Sequence, residues 1–309
     1  MSESKTRCGF VAVLGAPNAG KSTLVNALVG QKVAIVTQKV QTTRSTLRGI
    51  AMRGNAQIIF VDTPGIFAPK RRLDRAMVKA AWSGAADADA ILVVVDAAEV
   101  IAQPMGFAAG DTTRIVQGLK DSSRRAALVL NKIDGMKRDT LLPLVDAMNK
   151  GGVFDRIFLI SALKGDGLND LLDYCATAIP EGPFLYPEDQ AADIPSRLLA
   201  AEITREKLYL RLHDELPYAS AVITDSWKDQ TDGSVRIDQT ILVEREGQKG
   251  IVIGKGGQTI KKIGELARLE MEQIFGHRVH LFLHSKVAER WGETAEHYRE
   301  WGLEFPKDQ

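Results

Sequence analysis

The most constraining feature of the sequence is a glycine-rich segment, residues 15–22 (GAPNAGKS), that lies between two apolar stretches. The run before it, residues 10–14, has the length of a buried strand, whereas Leu24, Val25 and Leu28 recur at helical spacing. A strand, a glycine-rich turn and a helix in this order are typical of a phosphate-binding loop. The alternative is a tight glycine turn with a surface lysine, which the later motifs disfavour.

Two side chains of this segment have the chemistry that a polyphosphate requires. Lys21 would reach the outer phosphates, and the Ser22 hydroxyl would ligate Mg²⁺. Backbone N–H groups at the start of the helix would complete the phosphate site. The predicted nucleotide contacts here are Asn18, Ala19, Gly20, Lys21, Ser22 and Thr23.

Composition predicts an ordinary globular protein that is long enough for two domains. Of its 309 residues, 45% are hydrophobic and 26% are charged, values that are usual for such proteins. No apolar run approaches the ~18 residues of a membrane span, and residues 1–7 lack the apolar centre of a signal peptide, so we expect a cytoplasmic protein. Cys8 and Cys175 have no metal-binding spacing and are expected to be reduced, packed thiols.

The first part of the chain is basic although the net charge is only +1. No Asp or Glu occurs between Ser4 and Val61, whereas eight Lys and Arg residues do. A positive potential of this kind attracts polyphosphate or RNA. A solvated basic face without a partner is the alternative.

Residues 31–47 have weak periodicity and many Thr, Gln and Lys residues, which indicates a mobile loop. A threonine in such a loop can close on the magnesium and the outermost phosphate and be released when that phosphate leaves. We predict that Thr43 is this residue, with Thr42 as the alternative.

A strand over residues 57–61 ends in Asp62, Thr63, Pro64 and Gly65. Asp62 can hold magnesium through water, and Gly65 can offer its backbone N–H to the outermost phosphate. Downstream of a phosphate loop, this turn predicts a switch, and the helix over residues 71–86 would move with it.

Three further apolar strands, at residues 90–95, 126–130 and 157–160, alternate with helix-compatible stretches. The pattern predicts an α/β domain with a doubly wound, mostly parallel sheet and its ligand at the carboxyl ends of the strands. Two of these strands precede a polar motif. The predicted base contacts are Asn131, Lys132 and Asp134 after one strand and Ser161, Ala162 and Leu163 after the other.

The base motif favours guanine. The Asp134 carboxylate can accept from both N1–H and N2–H of guanine, which adenine does not offer. The five motifs described so far occur in the order of the five boxes of GTPases, and the first 180 residues therefore resemble a GTPase domain. One departure from the Ras pattern is Ile66, which stands where Ras-like proteins have a water-orienting Gln and which predicts slow intrinsic hydrolysis. Similar proteins without that Gln often have an Asn at the position of Asn18, and the resemblance implies a potassium ion there.

Proline-rich residues 181–196 predict a linker, and a new pattern of helix, two strands, helices and strand occupies residues 197–309. An elaborate loop within one domain is the alternative. In the new pattern, Gly254 and Gly257 frame a turn that opens a helix, and bare glycines there let a nucleic-acid backbone approach closely. The predicted RNA contacts are Ile253, Gly254, Lys255, Gly256, Gly257 and Lys261.

This second pattern resembles a type II KH domain, a smaller α+β domain, and the whole chain resembles the Era family of bacterial GTPases. The resemblance implies binding of 16S ribosomal RNA near its 3′ end in the maturing 30S subunit, a monomer, and peripheral association with the inner membrane. Two alternatives are a GTPase of tRNA modification and a passive RNA chaperone with a vestigial nucleotide site. The sequence has no C-terminal cysteine of the kind that tRNA-modifying enzymes use, which disfavours the first alternative. The presence of Lys21, Ser22 and Asp62 disfavours the second.

Overall fold

The computed structural model describes residues 5–37, 39, 42–212 and 216–306, without the side chains of Phe107 and Arg138. Its contacts divide the chain into two compact units, Met1–Asp193 with Gly302–Gln309 and Ile194–Trp301. The predicted division places the first domain at residues 1–180 and a linker at 181–196. In the structure, most of that linker belongs to the first unit, as do the residues after Trp301.

The first unit alternates strands with helices along the chain. Its elements are β1 (Arg7–Gly15), α1 (Lys21–Val29), β2 (Leu47–Arg53), β3 (Ala56–Asp62), α2 (Arg72–Ala86), β4 (Ala90–Asp96), α3 (Ala97–Ala102), α4 (Phe107–Asp121), β5 (Ala126–Asn131), α5 (Arg138–Asn149), β6 (Phe154–Leu159), α6 (Leu168–Ala178) and β7 (Ala192–Asp193). One sheet contains these strands in the order β6-β5-β4-β1-β3-β2-β7. Among the described strands of this sheet, the antiparallel pairs are those that β2 forms with β3 and β7, and the other pairs are parallel. The predicted doubly wound, mostly parallel sheet is confirmed.

The central strands are apolar on both faces because helices cover both faces. In β4, Val93 and Val95 pack in a core with Ile115 of α4, whereas Leu92 and Val94 pack in a second core with helix α1. A strand that is buried on both sides reads as a continuous apolar run. This is why β1, β4 and β5 are recognisable from sequence.

Strand β2 lies where the sequence analysis assigns no strand. A glycine in its interior, Gly49, weakens the pattern, but the packing requires it. A Cβ at Gly49 would lie 2.8 Å from Val29 Cγ2 and 3.0 Å from Val25 Cγ1. The valine side chains of α1 therefore pack directly on the β2 backbone, and a side chain at residue 49 would displace them.

The predicted linker is fixed to the first unit by Gln57 of β3, whose side chain is buried. Gln57 Oε1 accepts from the N–H groups of Leu185 and Tyr186, at 2.9 and 3.0 Å, and its Nε2 donates to the Tyr186 carbonyl at 2.8 Å. Strand β7 then pairs with β2, and Arg48 forms an ion pair with Asp193. The hydrogen bonds of Gln57 and the pairing of β7 with β2 explain why the linker packs as part of the first unit.

Residues 302–306, which follow Trp301, contact helix α2 of the first unit. Leu303 is buried, and the Glu304 carboxylate pairs with Lys79. The Arg72 guanidinium lies over the Phe305 ring, 5.0 Å from its centre. We call residues 302–306 the tail.

The second unit is a small α+β domain. Its elements are α7 (Ser196–Arg211), β8 (Ser220–Asp229), β9 (Val235–Val243), α8 (Glu246–Ile253), α9 (Gln258–Phe275), β10 (Val279–Val287) and α10 (Ala295–Glu300). The sheet order is β10-β9-β8, with β10 parallel and β8 antiparallel to β9. Alternate residues of β9, including Ile237 and Ile241, pack against Ile263, Ala267 and Met271 of α9. The predicted order of elements is confirmed. Within the described residues, no helix combines the length and apolar character that a membrane crossing needs.

Candidate nucleotide and nucleic-acid sites

The glycine-rich segment connects β1 to α1 in a shape that excludes side chains at two positions. A Cβ at Gly15 would lie 2.4 Å from the Val94 carbonyl oxygen, and one at Gly20 would lie 2.3 Å from Asn131 Nδ2. Gly20 also has a φ of +93°, which favours glycine. Residues 15 and 20 of the loop therefore carry no side chain that could obstruct the first backbone N–H groups of α1.

Lys21 is buried under this loop. Its ammonium donates to the carbonyl oxygens of Gly15 and Ala16, at 3.1 and 2.9 Å. Burial lowers the pKa of Lys21 to about 8, and the nearby Asp62 carboxylate opposes that shift. A phosphate oxygen would provide the negative charge that these neutral carbonyl groups supply only in part.

The three predicted magnesium ligands converge next to Lys21. Ser22 Oγ donates to Asp62 Oδ2 at 2.7 Å and lies 2.8 Å from Thr43 Oγ1. Asp62 is buried, and its Oδ1 has no hydrogen-bond partner in the part of the chain that the structure describes. Burial raises the pKa of Asp62 to about 6, although Ser22 and Lys21 oppose the rise.

This set of oxygens fits a divalent cation. Hydroxyl and carboxylate oxygens are the ligands that Mg²⁺ prefers, and a cation would stabilise the ionised form of the buried Asp62. The neighbouring Thr42 is engaged elsewhere, because its hydroxyl donates to the Lys39 carbonyl at 2.7 Å. The geometry thus favours Thr43 over Thr42. Gln38, Val40 and Gln41 of the predicted loop lie outside the described residues.

The base motifs meet at Asn131, the last residue of β5. Asn131 Oδ1 accepts from the Ala162 N–H at 3.0 Å, and its Nδ2 donates to the Ala19 carbonyl at 3.0 Å. Ser161 Oγ donates to Asp134 Oδ1 at 2.7 Å, and this hydrogen bond lowers the pKa of Asp134. Asp134 is therefore held ionised and in place, as an acceptor for two N–H groups must be. Leu163 lies beside it and is exposed.

The predicted switch turn packs directly on the phosphate loop. A Cβ at Gly65 would lie 2.9 Å from the Pro17 nitrogen, and the Ile66 N–H donates to the Gly15 carbonyl at 3.0 Å. The Ile66 side chain is completely buried in the core of the first unit. The position after Gly65 therefore presents no polar group that could orient a water molecule.

The second candidate site is the turn between α8 and α9. Gly254, with a φ of +73°, has no room for a side chain, because a Cβ would lie 2.1 Å from Thr259 Oγ1. Gly256 and Gly257 also have positive φ, and a Cβ on either would meet no atom within 4 Å among the described residues. Lys255, within the turn, and Lys261, in the first turn of α9, are both exposed. An open backbone flanked by lysines has the shape and charge that a nucleic-acid backbone requires.

One charged residue near the base motifs is absent from the sequence analysis. Asp96, at the end of β4, forms an ion pair with Lys132 at 2.6 Å. The available indication in the sequence is its place at the carboxyl end of a predicted strand, the same place that identifies Asp62 and Asn131.

Comparisons with known proteins find relatives of both parts of the chain. The sequence matches a family described as "50S ribosome-binding GTPase" over residues 10–132 and one described as "KH domain" over residues 215–292. The GTPase Era of Mesorhizobium japonicum is 60% identical over 301 residues, which cover 97% of this chain and 95% of that relative. The GTPase Era of Caulobacter vibrioides is 57% identical over 309 residues, with 98% of each chain covered.

The chain belongs to the Era family of GTPases. The predicted resemblance to this family is thereby confirmed. Two solved Era structures, each 40% identical, cover 96% of this chain and 99% of their own. One is a variant of Aquifex aeolicus Era bound to GDP·AlF4⁻, with a TM-score of 0.88. The other is Era in complex with MgGDPNP and nucleotides 1506–1542 of 16S ribosomal RNA, with a TM-score of 0.89.

Proposed function

We propose that this chain is a GTP-hydrolysing switch that binds single-stranded 16S ribosomal RNA near its 3′ end and assists assembly of the small ribosomal subunit. The observation that carries the proposal is that one chain combines the hydrogen bonds that join Ser161 to Asp134 and Ala162 to Asn131 with an open turn at residues 254–257. The Era complex with both MgGDPNP and 16S ribosomal RNA supports it, because that protein is similar over nearly its whole length.

In the proposed mechanism, the hydroxyl oxygens of Ser22 and Thr43 would hold Mg²⁺, and the Asp62 carboxylate would hold it through water. When bound, the ion would supply positive charge next to the outer phosphates. Lys21 and the N–H groups at the start of α1 bind the same phosphates, and Asp134 accepts the two N–H groups of guanine. Thr43 and Gly65 contact the outermost phosphate and are released when it leaves. RNA binds at Ile253, Gly254, Lys255, Gly256, Gly257 and Lys261.

Crosslinking the intact protein to RNA in its GTP-bound state tests the proposed function. Recovery of the 3′ region of 16S ribosomal RNA is expected. Recovery of transfer RNA would favour a GTPase of tRNA modification instead. A chain that binds RNA but does not hydrolyse GTP would be a passive chaperone.

Slow hydrolysis and stimulation by potassium are also part of the proposal, because Ile66 is buried and orients no water. Asn18 belongs to the phosphate loop and has a φ of +61°. An additional cation there would stabilise charge that develops in the transition state. We expect hydrolysis to be at least about tenfold faster in potassium than in sodium. Initial rates at equal ionic strength measure this.

Replacement of Asn18 tests the ion site. Asn18→Ala removes the side-chain oxygen but adds backbone strain at this positive φ. Asn18→Gly is the matched variant, because glycine tolerates the conformation and also lacks the oxygen. Both variants are expected to hydrolyse GTP at one rate in the two salts. A retained potassium response in Asn18→Gly, or no response in the wild type, would exclude the site.

Nucleotide state is expected to alter RNA affinity. If Thr43 and Gly65 sense the outermost phosphate, RNA should bind more tightly with a non-hydrolysable GTP analogue than with GDP, by a few-fold to about 100-fold. Linkage then requires RNA to tighten binding of the GTP analogue by the same factor. Both affinities are measured with the full chain and a synthetic RNA of nucleotides 1506–1542. Equal RNA affinities in the two states would show that the two sites act independently.

A further inference from the structure

Asp96 lies outside the five nucleotide motifs and nevertheless reaches the base site. It is the last residue of β4 and is paired in register with Asn131, the last residue of β5. The carboxyl ends of neighbouring parallel strands lie at one edge of the sheet. Asp96 therefore lies beside the motif that contains Lys132 and Asp134.

Both oxygens of the Asp96 carboxylate are engaged. Oδ1 accepts from the Glu99 N–H at 3.0 Å, which caps the first turn of α3. Oδ2 lies 2.6 Å from Lys132 Nζ, and the Asp96 side chain is only 9% exposed. Rotation of the carboxylate would break the cap or the ion pair, so Asp96 is a fixed anchor for the lysine.

Lys132 needs such an anchor. Its side chain is 43% exposed, and an exposed lysine otherwise samples many rotamers. Its backbone has a φ of +64°, which is unusual for a residue other than glycine. The end of the stem lies next to the phosphate loop, since a Cβ at Gly20 would be 3.9 Å from Lys132 Cε.

We propose that Asp96 is a positioning residue of the guanine site. It holds the Lys132 ammonium so that the alkyl stem lies along the face of the incoming base, and the pocket is ordered before nucleotide binds. The proposal rests on the base site proposed above. Because the stem contacts a face of the base, the contribution of Asp96 is the same for guanine and hypoxanthine, whereas that of Asp134 depends on the N2–H group.

The variant Asp96→Asn tests this with the full chain. Asparagine is an effective helix cap, so α3 keeps its first hydrogen bond while the charge on Lys132 loses its partner. The dissociation constants of fluorescent GDP, GTP and ITP analogues are expected to rise by one common factor, about 3- to 10-fold. Unchanged affinities would overturn the proposal. A rise for the guanine nucleotides alone would also overturn it.

A double-mutant cycle with Lys132→Met separates positioning from folding. Methionine keeps an apolar stem and has no charge, so Asp96→Asn is expected to cause no further loss in that background. An equal loss in both backgrounds would show that Asp96 acts through the fold of α3 and would refute the positioning role. If the wild type bound no guanine nucleotide, the proposed function would fail rather than the role of Asp96 alone.

Discussion

Replacing Asp134 with Asn is expected to weaken GTP binding roughly 10- to 100-fold and to shift the preference toward xanthine nucleotides. The carboxylate accepts from both N1–H and N2–H of guanine, whereas an amide offers one acceptor and one donor. Xanthine has a carbonyl oxygen in place of the amino group, so the new donor finds a partner there. Competition of GTP and XTP against a fluorescent GDP analogue measures both affinities.

Ser161→Ala is the control for this exchange. Asp134→Asn alters the hydrogen bond that Ser161 Oγ donates to Oδ1, and Ser161→Ala removes the same bond while it keeps the carboxylate. Ser161→Ala is expected to retain the preference for GTP over XTP. An Asp134→Asn protein with wild-type GTP affinity would refute the assignment of the base pocket, and a gain in XTP affinity could not arise from misfolding.

Replacing Gly256 with Asp is expected to reduce RNA affinity at least about 100-fold, because a carboxylate would lie where an RNA phosphate must lie. Juxtaposed like charges cost several kcal/mol in an interface. Gly256 is the suitable position in the turn, since a Cβ there meets no atom within 4 Å in the described chain, whereas Gly254 is filled by Thr259. Binding of labelled RNA to the full chain measures the loss.

Gly256→Asn is the matched control. Asparagine and aspartate have the same shape and both tolerate the φ of +60° at this position, so the two variants differ in charge alone. The asparagine variant is expected to retain most of the RNA affinity, and both variants are expected to hydrolyse GTP at the wild-type rate without RNA. Equal losses in the two variants would indicate a steric effect, and no loss in either would exclude the turn as the RNA site.

The arrangement of the nucleotide site was predictable because a parallel sheet converts chain order into spatial proximity. Asp62 and Asn131 end strands that are buried on both faces, and Ser22 comes soon after another such strand. Strands of this kind are apolar along most of their length. Their carboxyl ends meet at one edge, so motifs that are distant in sequence come together. The glycines at 15 and 20 also indicate the site in the sequence, because the packing there leaves no space for a Cβ and therefore requires glycine.

Other features depend on contacts that sequence patterns do not encode. Strand β2 is hard to recognise from sequence because it contains Gly49, whose backbone packs against α1. The linker is fixed by one buried glutamine, Gln57. Thr42 and Thr43 are chemically alike, and only their contacts distinguish them: the Thr42 hydroxyl donates to the Lys39 carbonyl, whereas the Thr43 hydroxyl lies next to Ser22 Oγ. Asp96 belongs to no motif, and its relation to Lys132 is visible only when β4 and β5 are paired.

The tail belongs to the first unit but is synthesised after the second unit. Its contacts with α2 come from residues that follow the whole of Ile194–Trp301 in the chain. A ribosome that adds roughly 5–20 residues per second takes about 5–20 s to make that stretch, while domains already made begin to fold. The nascent first unit can therefore close its sheet and its phosphate loop with α2 still uncovered. Helix α2 gains its contacts with Glu304 and Phe305 only after the second unit has been made.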